Sequence, residues 1–131
     1  MSIDSNTVAP TKHAVSWFEI PVTDLERATR FYEAMLGAAL HRENFLGTPM
    51  SIFPKTDTGV GGALVAGAGL SPGGAGTLVY LDVAGMLDAC LDRARAAGGA
   101  VVKERTPIGP AGFLALIRDA DNNLVGLHSP V

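Results

Sequence analysis

The chain has 131 residues, of which 47% are hydrophobic and 18% are charged, and its formal net charge is −3. This composition is typical of one globular domain and excludes a disordered chain. The negative charge, without any basic run, argues against nucleic acid as a partner, and no apolar stretch reaches the roughly 20 residues of a membrane helix. Residues 1–12 are polar and lack a signal-peptide core, so we expect a flexible tail on a cytoplasmic protein.

The first half of the chain reads as a strand, a helix and three further strands. Thr23 to Glu26 matches a capping box, in which the Thr23 hydroxyl caps the helix and Glu26 reaches back. Apolar residues then recur at spacings of three and four as far as Leu36, and Gly37 is the expected stop. The strands are predicted at residues 15–22, 39–45, 49–53 and 60–66.

The second half follows a glycine-rich linker. Residues 67–76 are predicted to join module one, residues 13–66, to module two, residues 77–131, within a single domain. A helix is predicted over 86–97, and Cys90 within its apolar stripe is predicted to be a small core residue. Strands are predicted at 78–83, 100–106, 112–118 and 124–128, with a tight turn at Asn122-Asn123 because asparagine tolerates positive φ.

The two halves repeat each other at a constant offset along the chain. Trp17 aligns with Leu78 and Gly37 aligns with Gly98, so a strand, a helix and a glycine stop recur in register. Each half is then a βαβββ module whose helix covers one face of its sheet. The repeat predicts an α+β fold in which two tandem modules form a curled, eight-stranded mixed sheet with helices outside and a cavity within this cup.

Five motifs occur in order along this repeat. They are F-E-I-P-V-x-D-L from Phe18, R-F-Y-E from Arg30, L-G from Leu36, A-G-G from Ala97 and R-D-x-D-N-N-L-V-G-L-H from Arg118. Together they resemble the vicinal oxygen chelate superfamily, which includes glyoxalase I, extradiol dioxygenases and bleomycin resistance proteins. The resemblance covers residues 14–129 and implies the cup-shaped fold. Because one scaffold hosts many chemistries, the function must be argued from the site.

The resemblance also implies a divalent metal held by His and Glu side chains from four strands. Carried over one at a time, the ligand positions fall at Trp17, at Gly62 or Ala63, at Leu78 and at Gly126. None of these residues supplies an oxygen, imidazole or thiolate, and a metal needs about three or four such ligands. The usual metal site is therefore predicted to be absent and no cofactor is expected, which disfavours glyoxalase I and extradiol dioxygenase chemistry.

Other polar side chains are expected on the cup face. Glu19, Tyr80 and His128 each lie two residues beyond a metal position, and side chains two apart on a strand share a face. These three form a candidate acid–base set. Glu19, Asp82 and His128 form a candidate displaced metal site. The remaining interpretation is that Glu19 and Tyr80 bond each other or face solvent at the rim.

Apolar side chains are expected to complete the wall of the cup. Trp17 offers a stacking surface, and the small residue at 126 leaves room for a ligand. Met50, Phe53 and Phe113 are candidate additions to this wall. The predicted ligand-binding residues are Trp17, Glu19, Met50, Phe53, Leu78, Tyr80, Phe113, Gly126 and His128.

Three functions agree with these residues. The first is a protein that binds a small, partly apolar molecule in the cup without a metal. The second is an enzyme, of lyase, isomerase or dioxygenase-like type, that uses Glu19, Tyr80 and His128 or a displaced metal. The third is an assembly module with a degenerate cup. A homodimer is expected, because the resemblance implies that modules pair either within a chain or across chains.

Overall fold

The computed structural model describes residues 13–67 and 69–131, so the predicted tail at 1–12 lies outside the described residues. These ranges contain eight strands, two helices and one 3-10 turn at Gly109–Ala111. The elements are β1 (Trp17–Val22), α1 (Leu25–Leu36), β2 (His41–Phe45), β3 (Thr48–Ile52), β4 (Gly61–Ala66), β5 (Tyr80–Asp82), α2 (Leu87–Ala96), β6 (Ala100–Pro107), β7 (Phe113–Arg118) and β8 (Leu124–Ser129).

The strands form two four-stranded sheets, one from each module, and the predicted pair of βαβββ modules is confirmed. Sheet one has the order β1-β4-β3-β2 and sheet two has the order β5-β8-β7-β6. The first and last strands of each module pair in parallel, and the other pairs are antiparallel. Neither sheet is closed, and among the described residues no strand of one sheet pairs with the other, so the eight strands form two separate four-stranded sheets.

Helix α1 is capped by Asp24, and the predicted capping by Thr23 is wrong. Asp24 has an extended backbone, and its Oδ1 accepts the Arg27 N–H at 3.1 Å. A carboxylate here also interacts favourably with the positive end of the helix dipole. The Thr23 N–H donates instead to Asp121 Oδ1 at 3.0 Å. Gly37 ends the helix in the left-handed conformation, with φ of 68°, as predicted.

One hydrophobic core runs through both modules. Helix α1 packs on β3 and β4, helix α2 packs on β6, β7 and β8, and the two helices contact each other. Cys90 lies in this core, as predicted, and burial raises the pKa of its thiol against the opposing effect of Arg93. The core side chains are Ile20, Val22, Ala28, Phe31, Tyr32, Met35, Leu40, Phe53, Leu64, Leu81, Val83, Leu87, Cys90, Leu91, Ala94, Ala115, Ile117, Val125 and Leu127.

A buried hydrogen-bond network joins the two modules at the β7–β8 turn. The Tyr32 hydroxyl donates to Asp119 Oδ2 at 2.7 Å. Asn123 Nδ2 donates to the same carboxylate oxygen at 2.9 Å and to the Pro21 carbonyl at 2.7 Å. Burial first, and then the charge of Asp119, raise the pKa of Tyr32 well above its usual value. Asn122 has a φ of 65°, so it supplies the positive φ that was predicted for this turn.

The linker is tied to the same turn. The Gly73 N–H donates to Asn123 Oδ1 at 2.8 Å. Gly74 lies against the guanidinium of Arg118, so closely that a Cβ at this position would lie 1.8 Å from Nη1. The end of the linker nearest module two is therefore held by that module.

Candidate ligand site

One face of sheet two is not covered by the helices, and we call it the open face. It carries four residues that the sequence predicted to share a face, namely Tyr80, Asp82, Gly126 and His128. The register of β5 and β8 pairs Tyr80 with Gly126 and Asp82 with His128. Leu81 between them is buried in the core on the side that α2 covers. Because directly paired residues share a face and neighbours alternate, Tyr80, Asp82, Gly126 and His128 all face away from the helices.

A cavity of about 410 Å³ lies on this open face. We call it the sheet-two cavity, and its lining residues are Tyr80, Asp82, Ile108, Leu114 and His128. Leu114 pairs with His128 across β7 and β8, which extends the wall by one strand. Sequence reasoning missed Ile108 and Leu114, because Ile108 follows a strand and Leu114 sits in a continuous apolar run without alternation.

Tyr80 forms the floor of the cavity beside Gly126. A Cβ at Gly126 would lie 2.3 Å from Tyr80 Cδ1, so the ring rests directly on the glycine backbone. The side chain stays 45% exposed, which leaves much of the ring available for contact. The glycine at this position therefore serves to seat an aromatic ring.

His128 is held by the 3-10 turn at the cavity rim. Its Nε2 lies 2.8 Å from the Ala111 carbonyl oxygen, and a carbonyl can only accept, so Nε2 carries the hydrogen. The turn ends at Gly112, whose φ is 104° and where a Cβ would lie 2.3 Å from the Ser129 carbonyl oxygen. Glycine is required there both for the backbone conformation and for the close approach.

Trp17 and Glu19 lie on the open face of the other sheet. They pair with Gly61 and Ala63 in β4, and Trp17 Nε1 donates to Glu19 Oε2 at 3.1 Å. Glu19 does not line the sheet-two cavity. The chain therefore brings Tyr80 and His128 together but places Glu19 elsewhere, and Glu19 bonds Trp17 in place of Tyr80.

Three predicted wall residues are divided between two faces. Met50 pairs with Val65 and packs on the open face of sheet one. Phe53 lies on the opposite, helix-covered side, with its ring centroid 5.4 Å from that of Tyr32. Phe113 also packs against the core, with the Arg105 guanidinium 3.8 Å from its ring centroid. Neither side chain therefore shares the face of Trp17, contrary to expectation. Phe53 is three positions from Met50 and so lies on the opposite face, and Phe113 is two positions from the core residue Ala115 and so faces the core.

A second, larger groove of about 1110 Å³ runs between the modules. Phe53 and Leu78 both line it, as do Tyr80 and Asp82 at its border with the sheet-two cavity. Leu78 precedes β5, which begins at Tyr80, so the predicted strand was two residues too long at this end. The groove is walled mainly by helix-covered and loop residues, and it reaches the open face of sheet two at Tyr80 and Asp82.

The positions assigned to metal ligands do not fit a metal. Glu19 pairs with Ala63 as Tyr80 pairs with Gly126, so Ala63, and not Gly62, is the counterpart of Gly126. Trp17, Ala63, Leu78 and Gly126 offer no ligand atom. Across residues 13–67 and 69–131, no group of three or more His, Cys, Asp or Glu side chains is arranged to hold a metal ion. The displaced set of Glu19, Asp82 and His128 is therefore not assembled within one chain.

The fold and the sequence together place the chain in a family. The sequence profile of the Glyoxalase/Bleomycin resistance protein/Dioxygenase superfamily matches residues 14–127. The chain belongs to this superfamily, in agreement with the resemblance found in its motifs. A comparison with curated proteins finds no significant match.

Solved structures share the fold at low sequence identity. A glyoxalase/bleomycin resistance protein from Albidiferax ferrireducens T118 has a TM-score of 0.69 and 20% identity, covering 89% of this chain and 98% of that one. A Frankia sp. EAN1pec domain of the glyoxylase/bleomycin resistance protein/dioxygenase type has a TM-score of 0.67 and 23% identity, covering 91% and 93%. The fosfomycin resistance protein FosX from Listeria monocytogenes has a TM-score of 0.63 and 20% identity, covering 92% and 94%.

The helices of the described residues are both short. Neither is long and apolar enough to cross a membrane.

Proposed function

We propose that this protein binds a small, partly apolar organic molecule in the sheet-two cavity without a divalent metal. The observation that carries the proposal is the composition of the cavity wall, in which Ile108 and Leu114 adjoin Tyr80, Asp82 and His128. Its volume of about 410 Å³ lies within the range of small-molecule sites. An apolar wall with a few polar groups is the usual composition of such sites.

The metal-independent part of the proposal rests on the ligand positions. Trp17, Ala63, Leu78 and Gly126 supply no donor atom, and Tyr80 occupies the space above Gly126. We therefore expect the purified protein to contain less than about 0.1 equivalent of divalent metal, and a chelator to leave ligand binding unchanged. A stoichiometric metal measured by mass spectrometry would contradict this part.

The cavity is tested by filling it. Ile108→Trp places a large side chain in the cavity, whereas Val102→Trp places the same side chain at an exposed position of β6. We expect compounds that raise the melting temperature of the wild type to lose that effect in Ile108→Trp and to keep it in Val102→Trp. Equal effects in both variants would show that the compounds bind elsewhere.

An acid–base enzyme is less well supported. Of the three candidate residues, Tyr80 and His128 line the cavity, while Glu19 bonds Trp17 on the other sheet. An activity confined to the cavity would have to use Tyr80, Asp82 and His128 in place of the predicted set.

We also propose that the chain forms a homodimer through the open face of sheet one. Phe45 is 61% exposed and Leu46 is 89% exposed at the β2–β3 turn, and Trp17 is 41% exposed on the same face as Phe45. Exposed large apolar side chains on an open sheet favour burial against a second copy. Sedimentation equilibrium is expected to give a dimer that Phe45→Ser weakens, and a wild-type monomer at all concentrations would contradict the proposal.

A further inference from the structure

The sheet-two cavity contains one carboxylate, that of Asp82, which pairs with no cation among residues 13–67 and 69–131. Asp82 lines the cavity and is exposed, and its Oδ1 accepts the Ala84 N–H at 3.0 Å, which fixes the carboxylate at the end of β5. Within the described part of the chain, Asp82 forms no ion pair. A charged group positioned by the backbone at a cavity wall is suited to a ligand of opposite charge.

Two cationic side chains, Lys103 and Arg118, belong to the open face of sheet two, and neither contacts Asp82. Lys103 pairs with Leu116 on β6, three strand spacings from β5, or about 14 Å. Arg118 donates from Nη1 to the Asn122 carbonyl at 3.3 Å and lies against Gly74. No Lys or Arg is among the residues that line the cavity. Asp82 is therefore the only Asp, Glu, Lys or Arg among the residues that line the sheet-two cavity, while Lys55 lines the adjoining groove.

The other polar groups of the cavity also favour a cationic donor. His128 Nε2 carries a hydrogen because it donates to Ala111, so in the neutral ring Nδ1 is an acceptor. The ring of Tyr80, 45% exposed, presents a π-face that attracts a cation within about 6 Å. A carboxylate, an imidazole and an aromatic ring thus line one cavity. Ile108 and Leu114 supply the apolar part of its wall.

We propose that the ligand of this cavity is a small amphiphilic amine, with its protonated amino group at Asp82 and its apolar body against Ile108 and Leu114. This inference rests on the proposed function, since it names the ligand class of the same site. The amino group donates to the carboxylate and to His128, while Tyr80 contacts it through the ring face.

Three probes of similar shape and different charge test the inference. Phenethylamine is a cation, 2-phenylethanol is neutral and 3-phenylpropionate is an anion at pH 7. Each is titrated into ¹⁵N-labelled protein, and the amide shifts of β5 and β8 report binding. We expect phenethylamine to bind at least about tenfold more tightly than 2-phenylethanol, and 3-phenylpropionate to bind most weakly.

Two substitutions test whether the preference for the cationic probe arises at Asp82. Asp82→Asn removes the charge and keeps an oxygen that can accept the Ala84 N–H, so the strand end is preserved. Asp57→Asn makes the same change in an exposed turn outside the cavity. We expect Asp82→Asn to weaken phenethylamine about tenfold, to leave 2-phenylethanol within twofold, and Asp57→Asn to change neither.

The outcomes separate this inference from the proposed function. Equal binding of the amine and the alcohol, or equal weakening by the two Asp substitutions, overturns the inference while the cavity remains a binding site. If none of the three probes shifts the amides of β5 and β8, both the inference and the proposed function are overturned.

Discussion

At the scale of single residues, the hydroxyl of Tyr32 is buried and makes a defined hydrogen bond between the two modules. The side chain is fully buried, and its hydroxyl donates to an Asp119 carboxylate that also accepts from Asn123. A buried carboxylate that loses a donor retains its desolvation cost without that compensation. Tyr32 therefore stabilises the contact between the modules through a polar bond as well as through packing.

Tyr32→Phe removes this donor and keeps the ring. We expect the free energy of unfolding, measured by urea denaturation, to fall by about 1–3 kcal/mol. Tyr80→Phe makes the same change on an exposed side chain and is expected to alter it by less than about 0.5 kcal/mol. Equal effects of the two substitutions would show that the Tyr32 bond contributes nothing specific.

The pH dependence of stability provides a second measurement on Tyr32. Its pKa is raised on folding, so the folded state keeps the proton above pH 10 while the unfolded state loses it. The stabilisation is complete below about pH 10 and is lost as the pH rises towards the folded pKa. Between pH 9 and 11 we expect the wild type to lose stability more steeply than Tyr32→Phe. Parallel pH profiles would contradict this assignment.

Individual site residues were predictable only in part. Strand alternation correctly placed Tyr80, Asp82 and His128 on one face, because each lies in a regular strand. It could not predict that Ile108 approaches them, since Ile108 is positioned by a turn between two strands. It also could not show that Glu19 bonds Trp17, since that contact depends on side-chain conformation.

At the scale of elements, the N-cap of helix α1 is Asp24, whereas the sequence predicted its neighbour Thr23. Asp24→Ala removes the acceptor of the Arg27 N–H, and we expect the free energy of unfolding to fall by about 0.5–2 kcal/mol. Thr23→Ala removes only the hydroxyl that was predicted to cap, and the change is expected to stay below about 0.5 kcal/mol. A larger loss of stability in Thr23→Ala than in Asp24→Ala would support the predicted capping box at Thr23 instead.

Element types were easier to predict than their ends or faces. The apolar stripe and the stop at Gly37 were sufficient for α1, because both are local signals. The ends of β3 and β5 differ from prediction by one or two residues. The face of Phe53 depends on the register of β3 with β4, which is a property of two strands and not of one.

At the scale of the whole molecule, the shared core predicts that the modules unfold together. The core contains side chains from both sheets and both helices, and the network at Asp119 crosses the same boundary. We expect one transition in urea, with coincident loss of native amide signals at Leu64 in module one and Leu127 in module two. Two separated transitions would show that each module is stable alone.

The repeat predicted the architecture more fully than the site. A constant offset between Trp17 and Leu78 was enough to define two βαβββ modules, because the order of elements fixes the topology of each. It was not enough to show that Trp17 and Tyr80 lie on open faces of two separate sheets. The packing of α1 on α2 determines how the sheets are arranged, and no local pattern encodes it.

The contact between Tyr80 and Gly126 has a consequence for protein engineering. A histidine or glutamate at position 126 needs a Cβ, and that atom would lie 2.3 Å from the Tyr80 ring. Introducing a chelating side chain there would also require the ring to turn or to be replaced by a smaller side chain. A single substitution at position 126 is therefore not expected to install a metal ligand while the Tyr80 ring keeps its present position.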